Sequence, residues 1–169
     1  MLVLGIDPGT ARMGWGIVDY RKRKSKPLRA VSYGCFETAK EWEMPRRLWQ
    51  LHKELRHLVK EAKPDEVVVE RLFFNANAKT AMSVGQARGV VMLVSAQAHL
   101  PLYEYTALEA KLALTGYGRA KKDEVQLGVQ DILGLEETIR LDDEADALAM
   151  ALCHLFKNGH LKCHSRKAG

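Results

Sequence analysis

Residues 2–6 (LVLGI) form a nearly continuous apolar run that stops at Asp7. Apolar at successive rather than alternate positions, the run predicts a strand covered on both faces. Residues 13–20 and 29–38 predict two more strands, with the basic stretch RKRKSK as the turn between them. Three sequential strands with short connections predict an antiparallel meander. Next, Leu48, Leu51, Leu55, Leu58 and Val59 recur at three- and four-residue steps, the pattern of an amphipathic helix. Pro45 suits its first turn and Pro64 follows its end. Residues 66–70 predict a strand that is apolar until Glu70. Residues 76–99 predict a long helix with Ala, Met, Val and Leu on its buried stripe. Gly85 and Gly89 cost that helix propensity, so close packing is expected to compensate. A short strand at 102–105 and helices at 107–114, 122–133 and 143–157 complete the pattern.

The order β-β-β-α-β-α-β-α-α-α predicts an α/β fold: a mixed five-stranded sheet, its first three strands antiparallel, with helices on both faces. At 169 residues, with no linker-like segment, a single domain over 1–157 is expected, followed by a flexible basic tail at 158–169.

Functional groups in such sheets collect beyond the carboxyl ends of the strands. Asp7 and Glu70 each end a strand apolar enough to be central. If the two strands are neighbours, their carboxylates lie close together, and like charges raise each other's pKa unless a cation neutralises them. A third contribution comes from LDDEADALAMALCHLF. There Asp143 and Asp146 are three apart and Asp142 and Asp146 four apart, and either spacing places two acids on one helical face. Oxygen ligands on a rigid frame suit Mg²⁺ or Mn²⁺. Each acid also has a plainer reading. A strand-terminal Asp serves turns, and Asp142 and Glu144 complement a helix dipole. Asp146 lies more than one turn in, among small Ala residues, where the dipole argument fades.

Composition narrows the field. The net charge of +5 fits a polyanion partner. Three cysteines, Cys35, Cys153 and Cys163, argue against a disulfide framework and for a reducing compartment. No leader is read at the N-terminus, and no apolar run approaches the length of a membrane span. A cytoplasmic protein with no membrane contact is expected. The segment CHLFKNGHLKCH holds Cys and His, but at no standard zinc spacing.

The motifs GIDPGTARMGWG, VVVERLFF, NANAKTAMSVGQARG and DEADALAMA occur in this order. Together they closely resemble the RuvC family of Holliday-junction resolvases, over roughly residues 2–154. The resemblance implies an RNase H-like fold and a homodimer. It also implies symmetric paired nicking of four-way DNA junctions in recombination and repair, leaving ends that ligase can seal. By motif, Asp7, Glu70, Asp143 and Asp146 would be the carboxylates for two Mg²⁺ or Mn²⁺ ions, with Asp142 as the alternative to Asp143. Lys111 and Lys122 match lysines near the scissile phosphate, and Lys121 adjoins the second. Phe73, or its neighbour Phe74, matches an aromatic that contacts bases at the junction centre. Arg88 is a phosphate-contact or interface candidate. The implied partners are junction DNA, a second copy of the chain through the helix at 76–99, and a branch-migration helicase complex (RuvA and RuvB).

Three other functions compete. An RNase H-like nuclease that matures ribosomal RNA would share the opening motif but not ERLFF plus GQARG. An actin-like ATPase needs two such domains. A non-catalytic junction binder gains nothing from four acids facing phosphate.

Overall fold

The N-terminal apolar run is the central strand of the sheet. The computed structural model describes residues 1–22, 27–71 and 78–161, with only the backbone at 78–80. The strand β1 (Leu2–Asp7) pairs antiparallel with β2 (Arg12–Tyr20), which pairs antiparallel with β3 (Leu28–Glu37). On its other side β1 pairs in parallel with β4 (Glu66–Glu70), and β4 in parallel with β5 (Leu102–Tyr105). Among the described residues these form one five-stranded sheet of order β3-β2-β1-β4-β5, so the mixed sheet expected from the pattern is present. The helices are α1 (Met44–Ala62), α2 (Ala78–Gln97), α3 (Ala107–Thr115), α4 (Lys122–Leu133) and α5 (Asp142–Lys157).

Successive residues of β1 point to opposite faces. Leu4 and Ile6 pack with Leu51, Leu55 and Val59 of α1 and with Val90, Val91 and Val94 of α2. Val3 belongs to the opposite core, with Leu148, Leu152 and Leu155 of α5 and Val125 and Val129 of α4. A strand covered on both faces needs no polar alternation, hence the continuous apolar run.

The helix α5 lies unusually close to β1 and β2, and glycines permit it. A Cβ on Gly5 would overlap the Ala147 carbonyl, and one on Gly14 would overlap the Asp143 carbonyl. At the far end of α5, the buried His154 ring lies 2.6 Å from Glu66 Oε2 and 3.1 Å from the Tyr105 hydroxyl. Glycine contacts and this polar anchor together fix how α5 sits on the sheet.

Two expectations for α2 are corrected. Ala87, Val90, Val91 and Val94 are buried, but Met82, Met92 and Leu93 are exposed. Around Gly85 and Gly89, nothing among the described residues lies within 4 Å of a built Cβ. The helix is apolar nearly all round, so its sequence has no polar face to show which side meets the sheet. No described helix is long and apolar enough to cross a membrane. After α5 the chain turns, with the His160 N–H donating to the Leu155 carbonyl and the imidazole against Tyr20.

Candidate active site

The parallel register Ile6↔Val69 sets Asp7 and Glu70 at the same end of adjacent central strands. Asp7 is largely buried. Among the described residues its carboxylate makes neither a hydrogen bond nor an ion pair, and its pKa is pushed up to about 7. Burial is the largest cause, followed by the charges of Asp146, Glu70 and Asp143, with Lys122 acting in the opposite direction. Glu70 is raised by burial and by Asp146, against the pull of Arg88.

The first two turns of α5 supply the other acids. Asp143 follows directly from the seating of its carbonyl over Gly14. Arg12 Nε lies 3.2 Å from Asp143 Oδ2. Its N–H is not aimed at that oxygen, which is shielded from water and has a charge partner but no hydrogen bond. Asp146, three residues on, is raised by burial despite Lys122, whose Nζ is 3.5 Å from it. Lys122 Nζ is also 3.2 Å from Asp142. Burial pulls the Lys122 pKa down, but Asp146 and Asp142 outweigh it and the net direction is up.

These contacts separate Asp142 from Asp143. Asp142 is 62% exposed and Asp143 23%. The charge of Asp143 raises the pKa of Asp7, whereas Asp142 acts on Lys122 and Asp146.

The remaining candidates are more dispersed. Lys111 is half-buried on α3, and Lys121 is exposed beside the start of α4. Neither forms an ion pair among the described residues. The Arg88 guanidinium is taken up by Glu104 of β5, to which Arg71 also reaches at 3.9 Å. Phe73 and Phe74 lie outside the described residues. Arg12 and Glu104 escaped the sequence reading. Each is an ordinary exposed-type residue on a strand, and only pairing across elements gives it a partner.

A divalent cation fits the chemistry of this donor set, although no three acidic, His or Cys side chains among the described residues are grouped to ligate one ion. All four donors are carboxylates, the hard oxygen ligands such ions prefer. Asp7 is largely buried, and its carboxylate has no hydrogen-bond or ion-pair partner among the described residues, an arrangement whose cost a cation would offset.

The chain is similar to known proteins in sequence and fold. The model of the family described as "Crossover junction endodeoxyribonuclease RuvC" matches residues 3–154. The protein of that name from Desulfitobacterium hafniense (strain Y51) is 53% identical over 154 residues, covering 91% of this chain and 92% of the relative. That from Syntrophomonas wolfei is 47% identical over 172 residues, covering 100% and 98%. Among solved structures, T. thermophilus RuvC in complex with Holliday junction substrate matches with a TM-score of 0.86 at 35% identity, covering 94% of each chain. The yeast mitochondrial Holliday junction resolvase Ydc2 matches with a TM-score of 0.66 at 16% identity, covering 96% of this chain and 80% of that one, a likeness of fold alone. The fold is RNase H-like. With four acids converging from β1, β4 and α5, and with this family match over nearly its whole length, the chain belongs to the RuvC family of crossover junction endodeoxyribonucleases.

Proposed function

We propose that this protein is an endodeoxyribonuclease that resolves four-way (Holliday) DNA junctions by two symmetric nicks, serving recombination and repair in the cytoplasm. The observation that carries the proposal is Asp7: a largely buried carboxylate, unpaired among the described residues, at the end of a central strand and electrostatically coupled to three more acids. The RNA-processing and non-catalytic readings are not favoured.

Asp7, Glu70, Asp143 and Asp146 would hold two Mg²⁺ or Mn²⁺ ions. Such ions, when bound, supply a nucleophilic water at neutral pH and stabilise the charge of the in-line transition state. The chain's own residues do the rest. β1 and β4 hold two carboxylates on backbone that barely moves. Gly5 and Gly14 let α5 bring two more within reach. Arg12 orients Asp143. Lys122 supplies positive charge beside Asp146, where phosphate negative charge develops. Lys111 and Lys121 would add phosphate contacts, and Phe73 or Phe74 a stacking contact with unpaired bases. Two cuts need two sites, and the exposed apolar residues of α2, with Gly85 and Gly89 open beside them, suit a homodimer surface. A branch-migration helicase, RuvA with RuvB, would supply and move the junction.

The test is cleavage of a labelled synthetic junction in Mg²⁺, Mn²⁺ or EDTA, with linear duplex and RNA–DNA hybrid controls. Paired, metal-dependent nicks that vanish in Asp7→Asn while binding persists are expected. Binding without cutting in every metal, or cutting confined to the hybrid, would overturn the proposal.

A further inference from the structure

The α3–α4 connection exposes apolar surface beside the acids. Leu108 and Leu112, one turn apart on α3, are 55% and 45% exposed, and Tyr117 in the following turn is 58% exposed. These residues are neighbours in space. A Cβ on Gly118 would meet Leu108 Cδ1 and Leu112 Cγ, so the turn carrying Tyr117 folds over the two leucines.

The turn is built to hold its shape. Gly116 adopts φ 73°, a left-handed conformation that only glycine takes cheaply. The Thr115 hydroxyl lies within hydrogen-bond distance of the Lys111 and Tyr117 carbonyls and accepts from the Tyr117 N–H. The Ala120 N–H donates to the Tyr117 carbonyl, and Ala120 is buried. An apolar ridge on a rigid turn loses little conformational entropy when it binds.

Charge indicates the partner. Arg119, Lys121 and Lys122 follow Tyr117 directly, and Lys111 lies between the two leucines. Of the acids along this stretch, Glu109 accepts from the Thr106 N–H and is paired with Lys157, and Glu124 accepts from the Lys121 N–H to cap α4, beside Asp123. Lys122 reaches Asp146, so the turn runs into the candidate active site. Large apolar groups rimmed by cations suit a nucleobase and its phosphates, since apolar side chains wedge between bases and aromatic rings stack on them.

Resting on the nuclease reading above, we propose that Leu108, Leu112 and Tyr117 form an apolar ridge that contacts nucleobases of the DNA substrate beside the cut.

An apolar contact releases no counterions, so its loss lowers affinity without altering the salt dependence, unlike loss of a lysine. Binding of a synthetic four-way junction in EDTA would be titrated at several salt concentrations, beside a linear duplex, for wild type, Tyr117→Ala, Tyr117→Phe and Leu112→Ser. Tyr117→Ala is expected to weaken junction binding by roughly 5- to 100-fold, the range for loss of a base stack. The log–log salt slope should stay unchanged, Tyr117→Phe should bind like wild type, and Leu112→Ser should weaken binding less. Equal junction affinity in wild type, Tyr117→Ala and Leu112→Ser would overturn the proposal and assign the ridge to a protein contact. A reduced salt slope in Tyr117→Ala would also overturn it. If wild type itself fails to bind the junction, the nuclease reading falls and this proposal with it.

Discussion

Asp7→Asn should make the ion-free protein more stable while abolishing its chemistry. Burial and the neighbouring acids push the Asp7 carboxyl up to about 7 in the folded chain, against an ordinary value of 3.8. The folded pKa lies above the unfolded one, so between about pH 4 and pH 7 the folded state holds the proton that the unfolded state has released. Wild-type stability therefore falls as pH rises through that window, and the penalty is complete above it. A displacement of that size corresponds to about 4 kcal/mol. Asparagine never ionises, but its amide is also buried without a partner, at a cost of roughly 1–2 kcal/mol. The net gain at about pH 8 is then about 2–3 kcal/mol. With a urea m-value of about 2 kcal/mol/M, the midpoint would move up by about 1–1.5 M. Urea melts followed by circular dichroism in EDTA, from about pH 4 to pH 8, would measure it. At the acid end, where Asp7 carries no charge, the variant should be less stable by the roughly 1–2 kcal/mol of its amide, and the two curves should cross as pH rises. The variant should keep a shallower slope of its own from Glu70 and Asp146, whose pKa values are also raised. Added Mg²⁺ should then stabilise wild type and not the variant, because a ligand that binds only the folded state raises its stability by mass action. A variant no more stable than wild type at high pH, or a difference independent of pH, would refute the idea that Asp7 carries an uncompensated charge.

Other perturbations probe other parts of the site. Gly14→Ala places a methyl group on the Asp143 carbonyl. It should cost about 1–3 kcal/mol in stability and, by lifting Asp143, also lower junction cleavage, measured by melts and single-turnover rates. Lys122→Met should reduce the single-turnover rate by about 100-fold, with junction affinity lowered far less, as expected for a cation that acts on developing charge. His154→Phe strips Glu66 and Tyr105 of a buried partner. It should destabilise the fold by about 2–3 kcal/mol, readable in chemical denaturation, and Glu66→Gln should cost less because its amide can still bond to the ring.

The sequence by itself settled the element order, the central place of β1 and the strand-end acids. Those features are written in local periodicity: a run apolar at every position must be covered on both faces, and a carboxylate closing it has only the sheet's edge to occupy. The DxxD spacing likewise placed Asp143 and Asp146 near one another on one helix. The different exposure and contacts of Asp142 and Asp143 came only with the tertiary structure, because neighbouring residues in a first turn differ in which way the docked helix faces. Gly5 and Gly14 decide that docking, and nothing local to either glycine reveals that α5 will lie against it. The same holds for α2, whose apolar surface gave no sign of which side would meet the sheet, and for Arg12, Glu104 and His154. Their partners stand 131, 16 and 88 residues away along the chain. Pairings at such separations are set by how the layers pack, and a linear pattern carries no record of them.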